Sequence, residues 1–156
     1  MYMIHNDYEI NPDTLALLSI AHIDYATIVL EGHQMLYVKK TPLQLIKTAC
    51  LEGGSTYEGR RKAVTHLTGA IQKVPIPINP RRKIFAFPTQ SPNAFECNWI
   101  IYHHIKAIVS TQNHQTQSII QFKNHYELPM NESHYLLQKQ YTRTAMCVLQ
   151  FLTDEN

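Results

Sequence analysis

The chain contains 156 residues, of which 44% are hydrophobic and 17% are charged, and its formal net charge is +2. A chain of this length buries enough surface to fold without disulfides or metal ions, so residues 1–156 are expected to form a single domain. The sequence contains no apolar run near the roughly 18 residues of a membrane span and no secretory pattern at its start, which predicts a cytoplasmic protein without membrane contact.

The three cysteines, Cys50, Cys97 and Cys147, are spread along the chain. Their odd number and the lack of a Cys-x-x-Cys pair argue against a disulfide framework and against a zinc module. Each cysteine lies in an apolar stretch, so we expect three reduced, buried and unreactive thiols.

The first third of the chain predicts strands. Three short apolar runs, Leu15–Ile20, Ala26–Leu30 and Met35–Val38, are separated by polar or turn-forming residues. A helix is expected next, because Thr41 suits the cap position and Pro42 suits the first helical turn. This first helix is predicted to end where two consecutive glycines, 53 and 54, follow its apolar residues.

A second helix is predicted to begin at Ser55-Thr-Tyr-Glu58, which matches a capping box in which the Ser55 hydroxyl accepts a hydrogen bond from the Glu58 amide. Gly69 is the expected stop. Three apolar residues of this helix are expected to face the core: Tyr57, Val64 and Leu67.

Three consecutive cations, Arg60, Arg61 and Lys62, lie on this second helix. At about 100° per residue they spread over about 200° of the helix surface, so they cannot share one face. At least one of them is therefore expected to lie along the body of the protein.

The segment Val74-Pro-Ile-Pro-Ile-Asn-Pro80 is incompatible with a helix, and its prolines lack the donors that a central strand needs. We expect either an extended edge strand or a polyproline-like connection here. Either structure delivers Arg81, Arg82 and Lys83 to an exposed turn.

The second half of the chain predicts further strands and a terminal helix from Glu132 to about Leu152. The strands are expected at Ile84–Phe87, Trp99–Ile101, Ile105–Val109, Ile119–Phe122 and Tyr126–Leu128. The predicted fold is therefore α+β, a strand-rich single domain with two central helices and a C-terminal helix.

The sequence shows no catalytic or metal-binding pattern. The glycine spacing of Gly54–Gly59 resembles a phosphate-binding loop, but arginines follow where that motif requires Lys-Ser or Lys-Thr. Of the nine histidines only His103 and His104 are adjacent, and neighbours on a strand point to opposite faces. We therefore expect no enzyme, no cofactor, no metal and no small-molecule substrate.

Positive charge is concentrated in one part of the chain. The segment from Lys39 to Lys83 holds ten basic and two acidic residues, a formal charge of +8, whereas the rest of the chain carries −6. A basic surface on an acidic body is typical of a protein that binds a polyanion. A solvated basic face without a partner is the alternative, and composition alone does not separate the two.

Several ordered sequence blocks carry a family resemblance: Tyr37–Ile46, Gly54–Lys62, Lys73–Pro80, Ile84–Thr89 and Cys97–Trp99. Over roughly residues 35–106 the chain resembles the ComK family of competence transcription factors. The resemblance implies a bacterial DNA-binding activator that recognises paired AT-rich promoter boxes through the minor groove, as a homo-oligomer and together with RNA polymerase. Such a protein would work in the cytoplasm, associated with the nucleoid.

Nine basic residues are the expected contacts to double-stranded DNA. Lysine and arginine neutralise phosphates, and arginine also suits the narrow, strongly negative minor groove of AT-rich DNA. The nine are Lys39, Lys40, Arg60, Arg61, Lys62, Lys73, Arg81, Arg82 and Lys83.

The sequence ends at Asn156, whereas longer members of the family carry a further C-terminal tail associated with full activity and with adaptor-mediated proteolysis. The second hypothesis is therefore a shortened regulatory homologue with weak or no DNA binding. In that case the basic face would dock an acidic protein partner.

Overall fold

The structure, a computed structural model that describes residues 2–113 and 115–152, contains two β-sheets and three α-helices in these ranges. The strands within these ranges are β1 (Ile4–His5), β2 (Thr14–Ser19), β3 (Thr27–Glu31), β4 (Gln34–Val38), β5 (Ile76–Asn79), β6 (Ile84–Pro88), β7 (Trp99–Ile101), β8 (Ile105–Ser110), β9 (Ser118–Phe122) and β10 (Glu127–Met130). The helices are α1 (Pro42–Glu52), α2 (Tyr57–Thr68) and α3 (His134–Leu152). This arrangement confirms the predicted α+β class.

The larger sheet has seven strands in the order β1-β4-β3-β2-β7-β6-β5, and the smaller has three in the order β10-β9-β8. All pairs are antiparallel except β1 with β4, which run parallel. The short β1 was not predicted, because two residues give no periodic signal and their partner strand lies far along the chain, at Tyr37 and Val38.

Side-chain alternation along the strands assigns the two faces of the larger sheet to two hydrophobic clusters. Leu17 pairs with Val29 and with Trp99, and all three belong to a cluster with the inner faces of α1 and α2. Ala16 and its partner Leu30 belong to the other cluster, together with the smaller sheet. The larger sheet is therefore covered by two helices on one face and by three strands on the other.

The α3 helix contributes to both clusters. Leu137, near its start, is buried with the smaller sheet, whereas Cys147, near its end, is buried with α1 and α2. The helix begins at His134, two residues after the predicted start, because Glu132 is held outside it. The Glu132 carboxylate accepts from Gln90 at 2.7 Å, and the Ser133 hydroxyl caps the helix.

The predicted start and end of α1 are confirmed. The Thr41 hydroxyl accepts from the Gln44 amide at 3.2 Å while the Gln44 side chain accepts from the Thr41 amide at 2.9 Å. Pro42 occupies the first turn, and Gly53 is the C-terminal cap residue, whose amide makes the last helical hydrogen bond, to the Ala49 carbonyl at 3.0 Å.

The capping box predicted for α2 at Ser55 is wrong. Thr56 is the cap, and its hydroxyl accepts from the Gly59 amide at 2.9 Å. Gly59 has no side chain to reach back, so no reciprocal bond forms, and Glu58 pairs with Arg61 instead. The predicted stop is confirmed, because Gly69 has a φ of 82°, in the left-handed region that glycine favours.

Two of the three α2 residues predicted to face the core do so. Tyr57 and Val64 are buried, but Leu67 is 45% exposed. Leu67 lies in the last turn of the helix and is rotated by about 60° from Val64, so it turns away from the sheet.

The proline-rich segment forms an edge strand, which settles the two alternatives left open by the sequence. β5 is the outermost strand of the larger sheet and pairs only with β6 among the described residues. Ile76 and Ile78 are fully buried because all three helices pack against this strand. A strand at the edge tolerates proline, since its outer side needs no ladder hydrogen bonds.

Replacing Thr56 with alanine should lower the free energy of unfolding by about 1 kcal/mol, because the Gly59 amide loses its acceptor. The control is Ser55→Ala, which should change stability by less than about 0.5 kcal/mol, since the Ser55 hydroxyl makes only a 3.5 Å contact to the Thr56 carbonyl. Urea unfolding followed by the fluorescence of Trp99 measures both values. A greater destabilisation by the serine substitution would contradict the assignment of the cap.

Candidate nucleic-acid interface

The β5–β6 connection presents three cations to solvent, as predicted. Arg81, Arg82 and Lys83, called here the basic turn, are all exposed. The turn is a short 3-10 helix whose cap is Asn79, the side chain of which accepts from the Arg82 amide at 3.3 Å. None of the three cations forms an ion pair with a described residue. They are therefore available to an anion from solution.

Arg60 points inward, as expected for one of the three consecutive cations on α2. Its guanidinium donates to the Gly53 carbonyl at 2.8 Å, and its Nε is buried without a protein partner within the described ranges. Gly53 in turn packs on β5, where an added β-carbon would lie 2.5 Å from the Ile78 carbonyl oxygen. Part of the Arg60 guanidinium is thus used to join α2 to the end of α1.

The other two cations of α2 are more accessible. Arg61 donates to the Glu58 carboxylate through Nη2 at 3.0 Å and Nε at 3.3 Å, and the two side chains are 37% and 60% exposed. Exposed ion pairs of this kind contribute about 0–1 kcal/mol and are easily replaced. Lys62 is exposed and has no ionic partner in the described part of the chain.

Lys39 and Lys40 follow the end of β4. The Lys40 ammonium lies 3.1 Å from the Asp7 carboxylate, and this hydrogen bond is the main cause that lowers the pKa of Asp7. Lys39 is exposed, and its backbone amide donates to the His5 carbonyl at 2.9 Å beside β1.

A groove of about 600 Å³ lies between the helices and the segment that leads into β5. We call it the basic groove, because Lys47 on α1, Arg61 on α2 and Lys73 line it together with Glu58. The Lys47 ammonium lies 5.9 Å from the centre of the Tyr57 ring. Lys47 was not among the predicted contacts, since nothing in the spacing of residues 47, 61 and 73 indicates that they meet.

Lys73 adopts an unusual backbone conformation that α3 holds in place. Its φ is 49°, in the left-handed region that side-chain-bearing residues rarely adopt. The Lys73 carbonyl accepts from Gln140 at 2.9 Å and from Arg143 at 3.4 Å, and Arg143 also donates to the Gln72 carbonyl at 2.7 Å. These hydrogen bonds join segments far apart in the chain, so no local sequence pattern indicates them.

The structure thus brings Arg61 and Lys73 into one groove and places the basic turn, Lys39 and Lys40 outside its lining. Lys83 lies close to His103, whose pKa is lowered mainly by burial and further by Lys123, Lys83 and His104. His103 and His104 lie in a 3-10 turn between β7 and β8, in the gap between the two predicted strands.

No group of three His, Cys, Asp or Glu side chains is placed to hold a metal ion within residues 2–113 and 115–152. In the same ranges, no helix has the length and apolar character needed to cross a bilayer. The three cysteines are buried free thiols, as predicted.

These features define an α+β protein with an exposed cationic surface. A family model described as the ComK protein matches residues 5–155. The competence transcription factor of Bacillus subtilis (strain 168) is 32% identical over 140 residues, which cover 88% of this chain and 71% of the relative. No solved structure matches the chain.

The chain therefore belongs to the ComK family, a family of competence transcription regulators and not of enzymes. Family membership was predicted from the sequence blocks, and the match over nearly the whole chain confirms it. The expectation that the protein is not an enzyme is confirmed by the same membership.

The buried thiols should not react with a disulfide reagent such as 5,5′-dithiobis(2-nitrobenzoate) in the native protein at pH 8. Burial raises the pKa of Cys50 to about 11 and that of Cys147 to about 12, and it also raises the pKa of Cys97. Since the thiolate is the reactive form, each thiol stays protonated at that pH. Unfolding in guanidinium should release all three. Rapid reaction of a native thiol would contradict this description of the core.

Proposed function

We propose that this protein activates competence genes by binding AT-rich double-stranded DNA at promoters through the minor groove. In this proposal it acts in the cytoplasm on the nucleoid, as a homo-oligomer and together with RNA polymerase. The observation that carries the proposal is the basic turn, where Arg81, Arg82 and Lys83 are exposed and unpaired among the described residues.

The charge distribution supports a polyanionic partner. The segment from Lys39 to Lys83 carries a formal charge of +8, and within the described residues only Lys40 and Arg61 of its cations form ion pairs. Lysine and arginine that contact phosphates release condensed counterions, which drives association with DNA. Family membership supports DNA as that polyanion, since the relative is named a competence transcription factor.

The shape of the basic turn supports the minor groove as its place of binding. The connection that carries the basic turn is four residues long, from Pro80 to Lys83, and joins two antiparallel strands, so it is slender. The minor groove is only about 6 Å wide. Arginines are attracted to the enhanced negative potential of narrow AT-rich grooves. We place Arg81 and Arg82 in the groove and assign the other predicted cations, including the partly engaged Arg60, to phosphates.

Insertion of α2 into the major groove is the competing mode. α1 and α2 are joined only by residues 53–56, a connection as short as that of a helix-turn-helix. Against this mode, the first turn of α2 exposes Glu58, whose charge repels phosphates, and Arg60 is turned toward the protein. We therefore favour the basic turn as the reading element.

The second candidate function remains docking of an acidic protein through the same free cations. It predicts a weak shift of a labelled duplex or none. The proposed function instead predicts a duplex shift that weakens with salt and is stronger for AT-rich than for GC-rich sequences.

Replacing Arg81 or Arg82 with alanine should weaken binding to an AT-rich duplex. A cation in the groove also displaces condensed counterions, so the slope of log K against log salt should become shallower, by up to about 0.9 for each charge removed. The control is Lys106→Ala, which removes one exposed charge from β8 in the smaller sheet. Fluorescence anisotropy over a salt series measures both quantities. Wild-type affinity and slope in both arginine variants would refute the role of the basic turn.

A minor-groove dye such as netropsin should displace the protein from an AT-rich duplex, because the two would occupy the same narrow groove. Methylation of guanine N7 in the major groove should leave binding unchanged. Interference by methylation without competition by the dye would reject the groove assignment and favour insertion of α2.

A further inference from the structure

We infer that the basic groove binds a backbone phosphate of the DNA, through Lys47, Arg61 and Lys73, and that Glu58 limits its affinity. This inference rests on the proposed DNA binding and extends it to a residue, Lys47, outside the predicted contacts. In this arrangement the protein makes two different contacts with DNA. The basic turn enters the minor groove of the duplex, and the basic groove contacts the sugar-phosphate backbone.

The three cations of the basic groove come from three separate segments of the chain. Lys47 lies on α1, Arg61 on α2, and Lys73 on the segment that leads into β5. Glu58 is the only carboxylate among the described residues that line the groove. The lining therefore has an excess of two positive charges, which suits a phosphate group entering from solution.

Two of the three cations have no carboxylate partner within the described ranges. The Lys47 ammonium lies over the Tyr57 ring at 5.9 Å from its centre. Tyr57 is itself buried against Trp99, with ring centres 6.4 Å apart, so this wall of the groove is part of the hydrophobic core. Lys47 is thus kept near the groove without being neutralised, and it can meet an anion without first breaking an ion pair.

Lys73 is positioned by α3. Its left-handed backbone, with a φ of 49°, is held by hydrogen bonds from Gln140 and Arg143 to its carbonyl. Gln140 is only 2% exposed and also donates to the Pro88 carbonyl at 2.8 Å, so it cannot move freely. Gln140 and Arg143 are positioning residues. They fix the backbone of Lys73 and therefore the direction in which its side chain leaves the backbone.

The Glu58 carboxylate competes with an incoming anion for Arg61. Its carboxylate accepts two hydrogen bonds from Arg61, but both side chains are more than one third exposed, so water screens the pair. A phosphate oxygen offers Arg61 the same two-pronged, charge-assisted geometry. When a phosphate binds, it repels the Glu58 carboxylate and takes over Arg61, so the free energy of binding is reduced by that of the displaced pair.

The test uses three variants of the full chain and a labelled AT-rich duplex. Lys47→Ala should make the salt slope shallower by about 0.9, the change expected when one phosphate is no longer neutralised. Glu58→Gln should raise the affinity about two- to fivefold, the equivalent of one weak exposed ion pair. Lys106→Ala should match the wild type. Alanine is a better helix former than lysine, so the Lys47 variant is expected to fold.

The outcomes separate this inference from the proposed function. If the wild type binds the duplex and Lys47→Ala binds with the same affinity and slope, only the basic-groove contact is overturned. If Glu58→Gln does not tighten binding, the competitor role of Glu58 is overturned.

Two further probes complete the test, a labelled single-stranded oligothymidylate and inorganic phosphate at matched ionic strength. If the wild type fails to bind the duplex but binds the single strand in a Lys47-dependent way, the proposed function is wrong and the phosphate site stands. If it binds neither, both are wrong. If inorganic phosphate stabilises the wild type but not Lys47→Ala, while duplex binding is unaffected by the substitution, the groove takes a free phosphate and the backbone contact is overturned.

Discussion

The close backbone contact between Gly53 and β5 is the constraint on which the arrangement of the basic surface depends. A side chain at position 53 would collide with the Ile78 carbonyl, so only glycine lets the end of α1 reach the edge strand. The same glycine offers its carbonyl to Arg60, which fixes the start of α2. On the other side of the contact, Asn79 caps the turn that carries Arg82. One glycine thereby connects two helices, the edge strand and the turn proposed to enter DNA.

The C-terminal helix ties the two halves of the domain together. Its first turns pack with the smaller sheet through Leu137, and its later turns pack with α1 and α2 through Cys147. Between them, Gln140 and Arg143 donate hydrogen bonds to the carbonyls of Gln72 and Lys73, in the segment before β5. A change in α3 would therefore act on the basic groove at a distance, although α3 contributes none of the cations that line it.

Local chemistry made much of this fold predictable, because caps, glycines and prolines act over a few residues. Thr41 with Pro42 identified the start of α1, and the prolines of the β5 segment limited it to an edge strand or a polyproline-like connection. The Ser55 box failed because the neighbouring hydroxyl, that of Thr56, caps the helix instead. Contacts that join distant segments could not be predicted, among them β1 with β4 and the meeting of Lys47 with Lys73. The basic turn was found because charge and turn chemistry coincide there, whereas the groove was missed because its residues are scattered.

The two edges of the larger sheet differ in how they limit pairing with a strand of another molecule. At one edge, the prolines at positions 75 and 77 supply no amide hydrogens, so β5 cannot offer a regular row of donors to a strand from another molecule. At the other edge, β1 pairs with Tyr37 and Val38 and leaves only residues 34–36 of β4 open, a length of about 10 Å. An added strand could form few backbone hydrogen bonds along so short a length. Both edges of the larger sheet therefore offer little backbone for pairing with a strand of another molecule.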